Sequence, residues 1–162
     1  MNEKDKSLDS PKTIGELYDL AHSRKTGEDK KVGFKYAKVS DNMADRLLRE
    51  LGLDTYGFDH QINEQYIQHA EKGHDDGGEW RKEQVPVVKA DYEMIPDVVG
   101  NPERVKIVGK TKREKLPIIQ FKKRVNGHLL VLEVFHGGKK SRYLEFLSIY
   151  KYRHTPKKGE AS

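Results

Sequence analysis

Two histidines, His69 and His74, stand ahead of a stretch that carries Gln120, Lys122, Arg124, Ser148 and Tyr150. Histidine titrates near neutrality, so one ring can take a proton while another returns it. Lysine and arginine neutralise anionic oxygens, and arginine does so with a planar fork of donors. Serine and tyrosine hydroxyls donate hydrogen bonds, and an aromatic ring offers a flat surface to a stacked base. Together these groups suit proton transfer beside a phosphate. RNA carries its own nucleophile, the 2′-hydroxyl. Its cleavage needs a base, an acid and a cation for the developing phosphorane charge, so the expectation includes no metal and no cofactor.

Charge points the same way. Residues 101–162 hold 16 Lys and Arg against 5 Asp and Glu, whereas residues 1–100 hold 15 against 21. The net charge of +5 therefore hides a strongly cationic C-terminal part, which fits a polyanionic partner. Cysteine is absent, which excludes disulfides and thiolate metal sites. No apolar run reaches the roughly 18 residues of a membrane span, and no signal-peptide core follows Met1, so no membrane partner is expected. The length suits one domain. The expected organisation is a flexible or partly helical extension over residues 1–34, a functional domain over 35–153 and a disordered tail over 154–162.

The histidines need a helix to place them. Ile62, Tyr66, His69 and Ala70 share one side of a helix predicted from Gln61 to Lys72, which Gly73 ends. On that apolar side His69 has a competing reading as a hydrogen-bonded core residue. His69 and His74 are five positions apart, about 140° around a continuous helix, unlike the i, i+4 pair of a helical zinc site. His60, Asp75 and Asp76 lie nearby, but no recognised ligand motif unites them with the two histidines. Asp75-Asp76-Gly77-Gly78 reads as a turn or loop.

Further helices are predicted over Ile14–Ala21, capped by Thr13, and Asp41–Leu51, capped by Ser40 and stopped by Gly52. Residues 22–36 read as loop. Asp91 is expected to cap a short turn, and Pro96 to sit in the first turn of another. Four strands follow, Arg104–Val108, Pro117–Val125, His128–Phe135 and Tyr143–Tyr152, with Asn126-Gly127 as a hairpin turn. Alternation along these strands is expected to turn Leu130, Leu132 and Val134 toward the helices. The other face would gather Gln120, Lys122, Arg124, Glu133, Ser148 and Tyr150. Such a face is either an ordinary solvated sheet surface or a phosphate and base platform.

The order of these pieces resembles a known family. A helical His69-Ala70 segment precedes Asp91-Tyr92-Glu93-Met94-Ile95-Pro96-Asp97-Val98-Val99-Gly100-Asn101-Pro102. Ile119-Gln120-Phe121-Lys122-Lys123, the Gly127 hairpin, Val131-Leu132-Glu133-Val134 and Leu147-Ser148-Ile149-Tyr150 follow. Over residues 35–153 this is similar to the phage-associated barnase–EndoU–colicin–RelE-like (BECR) nucleases, a superfamily of small ribonuclease toxins. The resemblance implies an α+β fold in which N-terminal helices pack on a four-stranded antiparallel β-meander, with the site on its open face. It implies metal-independent cleavage of RNA to a 2′,3′-cyclic phosphate, in a phage, mobile element or polymorphic toxin system. By position, the helix histidine maps to His69 or His74, the strand cation to Lys122, and the last-strand hydroxyl to Ser148 with Tyr150 following. Where the family often has threonine, Ser148 keeps the hydroxyl.

The expected function is thus a ribonuclease toxin with His69, His74, Lys122, Ser148 and Tyr150 catalytic and Gln120, Arg124 and Glu133 binding substrate. RNA, tRNA among the options, is the expected partner, with an acidic immunity protein as a second. The expected site of action is cytoplasmic, after delivery as part of a phage or secreted protein. The alternative is a nucleic-acid-binding module, or a mobile-element accessory protein, with no chemistry.

Overall fold

The computed structural model describes residues 12–23, 33–73, 85–125 and 127–152. The N-terminal lead-in, His74, the Asp75–Gly78 turn, Asn126 and the tail after Tyr152 lie outside the described residues, as do the side chains of 69–73, His69 among them.

Helices α1 (Ile14–Ser23) and α2 (Asp41–Leu51) flank strand β1 (Gly33–Lys38). Strand β2 (Asp59–Asn63) runs directly into α3 (Glu64–Gly73). Two short helices, α4 (Lys89–Tyr92) and α5 (Ile95–Gly100), lead to β3 (Arg104–Lys110), β4 (Pro117–Arg124), β5 (His128–Gly137) and β6 (Arg142–Tyr152).

Local chemistry explains the helix ends. The Ser40 hydroxyl accepts a hydrogen bond from the Met43 amide at 3.1 Å, and Gly52 takes the left-handed conformation at φ 74° that closes α2. Between these caps Met43, Ala44 and Leu47 fall on one side and are buried. Pro96 stands in the first turn of α5, where its missing N–H costs nothing. Asp91 acts from inside α4, where its Oδ2 accepts the Val88 amide at 2.9 Å.

The strands form a single mixed sheet of six, ordered β1-β2-β6-β5-β4-β3. The antiparallel meander of the last four is present, but it is not the whole sheet. Segments read as loop and helix start supply β1 and β2, which pair antiparallel. β2 then docks parallel to β6 through Asp59↔Tyr143, His60↔Leu144 and Gln61↔Glu145. Both strands are short and rich in polar residues, so their pairing owes more to tertiary context than to propensity.

A single core joins the helices to one face of the sheet. Leu17, Leu47, Ile67, Tyr92, Ile95 and Val98 meet Ile62, Val105, Ile119, Phe121, Leu129, Val131, Leu144, Phe146 and Ile149. Leu130 and Val134 are buried but lie outside this core. The expected orientation of β5 is therefore reversed. The turn between β4 and β5 spans three residues, with Arg124↔His128 as the closing pair. An Asn126-Gly127 two-residue turn would have paired Val125 with His128. The extra residue slides the register by one, and a one-residue slip exchanges the two faces of a strand. Leu129, Val131 and Glu133 thus face the helices.

β6 contains a compensating irregularity. Leu132 pairs with Ser148 but Glu133 pairs with Phe146, leaving Leu147 as an extra, bulged residue. Phe146 and Leu144 consequently point into the core below the bulge, while Ser148 and Tyr150 point away from it above.

Candidate functional site

The pairing registers lay out the face opposite the helices as rows of side chains. One row runs Arg124–His128–Tyr152 across β4, β5 and β6. The next runs Arg104–Lys122–Leu130–Tyr150 and begins on β3. A third runs Lys106–Gln120–Leu132–Ser148. Directly opposed residues stand about 5 Å apart and successive rows about 7 Å apart. Gln120, Lys122, Arg124, Ser148 and Tyr150 therefore come together on one face.

This face is electrostatically tense. Burial, followed by the charges of Arg104, Lys106 and Arg124, lowers the Lys122 pKa, with Glu103 acting against them. His128 is 4% exposed. Burial, then the charges of Lys122 and Arg124, lowers its pKa, again opposed by Glu103. An anion seated among these groups would relieve the crowding of positive charge. Ser148 is itself buried, and Tyr150 is half-buried.

With the geometry in place, comparison with known proteins gives one result. The family model described as phage-Barnase-EndoU-ColicinE5/D-RelE like nuclease3 matches residues 37–158, most of the chain. The chain belongs to this nuclease family. No curated protein and no solved structure gives a match. The matched region contains α2, α3, the whole meander and the cationic rows of this nuclease-family sheet.

Glu133 is not on that face. It is fully buried on the helix side, because the three-residue turn places it beside Ile119 rather than Gln120. There its Oε1 lies 2.7 Å from His60 Nδ1, and its Oε2 accepts a hydrogen bond from the Tyr36 hydroxyl at 2.6 Å. His60, considered from sequence only beside possible metal ligands, is thus a buried partner of Glu133. Among the described residues no group of three His, Asp or Glu side chains is arranged to hold a metal ion.

The sequence reading did not assign Arg104, Lys106 or Tyr152 to this face, and it missed two further features. His128 is one, and a correct three-residue turn would have set it beside Arg124. The other is a titratable cluster at the far end of the face, where Val134↔Glu145 and His136↔Tyr143 continue the rows. His136 Nε2 lies 3.2 Å from Glu145 Oε1, and its ring stacks on Tyr143 at 4.4 Å. Burial raises the Glu145 pKa, with the His136 charge opposing it. Burial and then the Glu145 charge raise the pKa values of Tyr143 and of Tyr66 from α3. The first turn of α3 therefore feels the rim of this face. Position 69 lies on the next turn of that helix.

Proposed function

We propose that the chain is an endoribonuclease that needs no metal, cutting RNA by attack of its own 2′-hydroxyl. The new bond joins the 2′-oxygen to phosphorus and the bond to the 5′-oxygen breaks, leaving a 2′,3′-cyclic phosphate and a 5′-hydroxyl. A base takes the 2′-hydroxyl proton, and an acid returns one to the departing 5′-oxygen. The observation that carries this reading is the convergence of Arg104, Lys106, Lys122 and Arg124 with Gln120, Ser148 and Tyr150 on one face of a nuclease-family sheet.

In this scheme Lys122 balances the phosphorane charge and Arg124 and Gln120 hold the strand. The Ser148 and Tyr150 hydroxyls donate to phosphate oxygens. His69 and His74 are the proton carriers proposed from the sequence. His128 joins them as a base candidate, since its lowered pKa favours the neutral ring at pH 7. The biological setting we propose is a toxin of a phage, mobile element or polymorphic toxin system acting on cytoplasmic RNA, tRNA among the candidates. An acidic immunity protein would complement the cationic face.

The test is incubation with total RNA in EDTA, followed by end-group analysis. Cyclic phosphate ends are the expected product. Ends bearing a 5′-phosphate would refute the mechanism, and intact RNA with salt-sensitive binding would leave a binding module. Full activity in each of His69→Ala, His74→Ala and Lys122→Ala would refute the residue assignment.

A further inference from the structure

The β6 bulge decides which way Ser148 and Tyr150 face. Below it the pairs are Val134↔Glu145, Phe135↔Leu144 and His136↔Tyr143. Continued without a bulge, that register would pair Leu132 with Leu147 and Val131 with Ser148. Ser148 and Tyr150 would then point into the helix-covered core, and Leu147 and Ile149 would join the cationic rows. The extra residue at Leu147 restores the pairs Leu132↔Ser148 and Leu130↔Tyr150. Bulges commonly re-aim side chains in this way.

Glu133 sits at the register shift itself. A carboxylate with 0% exposure is tolerable only where its oxygens are bonded. Here each oxygen has a partner on a different strand, His60 of β2 and Tyr36 of β1. The Tyr36 and His60 rings stack at 5.4 Å, and Phe121 of β4 meets His60 edge-on at 6.4 Å. β6 lies between β2 and β5 in the sheet. The network therefore ties both flanks of β6 together at the level of the bulge.

We infer that Tyr36, His60 and Glu133 are positioning residues, a buried clamp that fixes the β6 bulge and so presents Ser148 and Tyr150 to Lys122 and Gln120. The inference rests on the proposed use of that face. The clamp touches no substrate, because it lies on the opposite side of the sheet.

The test compares Tyr36→Phe and Glu133→Gln with Val98→Ala, a buried core truncation on α5 that takes no part in the Tyr36–His60–Glu133 contacts. Hydrogen exchange and amide chemical shifts at Phe146, Leu147 and Ser148 are read together with kcat and KM for RNA. The two clamp variants are expected to speed exchange and move the shifts at the bulge. They are also expected to lower kcat about 10- to 100-fold, the scale of an ångström-sized misplacement. KM should stay near wild type, because Arg104, Lys122 and Arg124 belong to β3 and β4. Val98→Ala should lose stability but keep the bulge shifts and kcat. Bulge signals in the clamp variants that match those of Val98→Ala would overturn the inference. If Glu133→Gln fails to fold, Tyr36→Phe, which leaves the His60 contact intact, decides it. If wild type cleaves no RNA, the proposed function falls, while the amide readout still decides the clamp.

Discussion

Replacing Lys122 with alanine should reduce the salt dependence of RNA binding by a definite amount. Four cations share the face by register, Arg104 and Lys106 on β3 and Lys122 and Arg124 on β4. Each phosphate neutralised on a single strand contributes about −0.7 to the slope of log K against log salt, so these four give a slope of about −3. Between about 50 and 200 mM salt, wild-type affinity should then fall about 50-fold, but that of Lys122→Ala only about 18-fold. The assay is fluorescence anisotropy of a labelled single-stranded RNA with 2′-O-methyl groups throughout, which blocks its own nucleophile. Lys89→Ala is the control, because Lys89 Nζ is held 2.8 Å from Asp19 of α1, away from the face. Equal slopes for wild type and Lys122→Ala would refute this face as the binding surface, as would an equal loss in Lys89→Ala.

Two further perturbations probe the same region. The lowered His128 pKa means that the folded protein binds its proton less readily than the unfolded chain. Stability should therefore fall as pH drops below the unfolded value of about 6.5 and onward through the folded value. Urea midpoints at acidic and neutral pH should differ more in wild type than in His128→Gln, and an equal difference would refute the shift. Gly127 has φ 119°, and an added Cβ would stand 2.7 Å from the Tyr152 carbonyl oxygen. Gly127→Ala should consequently cost about 1–3 kcal/mol in chemical denaturation, and wild-type stability would exclude this hairpin geometry.

The meander was legible because its signals are local. Asn126-Gly127 marks a reversal, and flanking apolar residues at a period of two mark strands. Turn length was not legible, since Val125 can close the hairpin or belong to its loop without changing the pattern. That ambiguity of one residue inverted β5 and misplaced Glu133. Ser148 and Tyr150 were nevertheless assigned to the side of Lys122, since the bulge at Leu147 changes the phase of β6 a second time. β1 and β2 were missed for another reason. Lys35, Lys38, Asp59 and Gln61 give them a polar surface, and their apolar positions acquire meaning only against β6 and the helices. The contact between His60 and Glu133 spans 73 positions in sequence, beyond any local pattern.

The two faces of β5 divide the electrostatic work of the sheet. On one side Leu130 and Leu132 separate Lys122 and Gln120 from Tyr150 and Ser148, so the cations and hydroxyls are spaced by an apolar floor. Such a floor suits a ligand that brings its own charge and its own flat apolar surfaces, as a nucleotide does. On the other side Glu133 sits among Tyr36 and His60, with both carboxylate oxygens bonded within the core. Were Glu133 on the cationic face, as alternation with a two-residue turn requires, it would stand opposite Gln120 and diagonal to Lys122, and would cancel part of the positive charge of that face. The three-residue turn therefore does more than close a hairpin. It removes the one acidic side chain of β5 from the cationic surface and places it at the register shift, with both its oxygens in contact with β1 and β2.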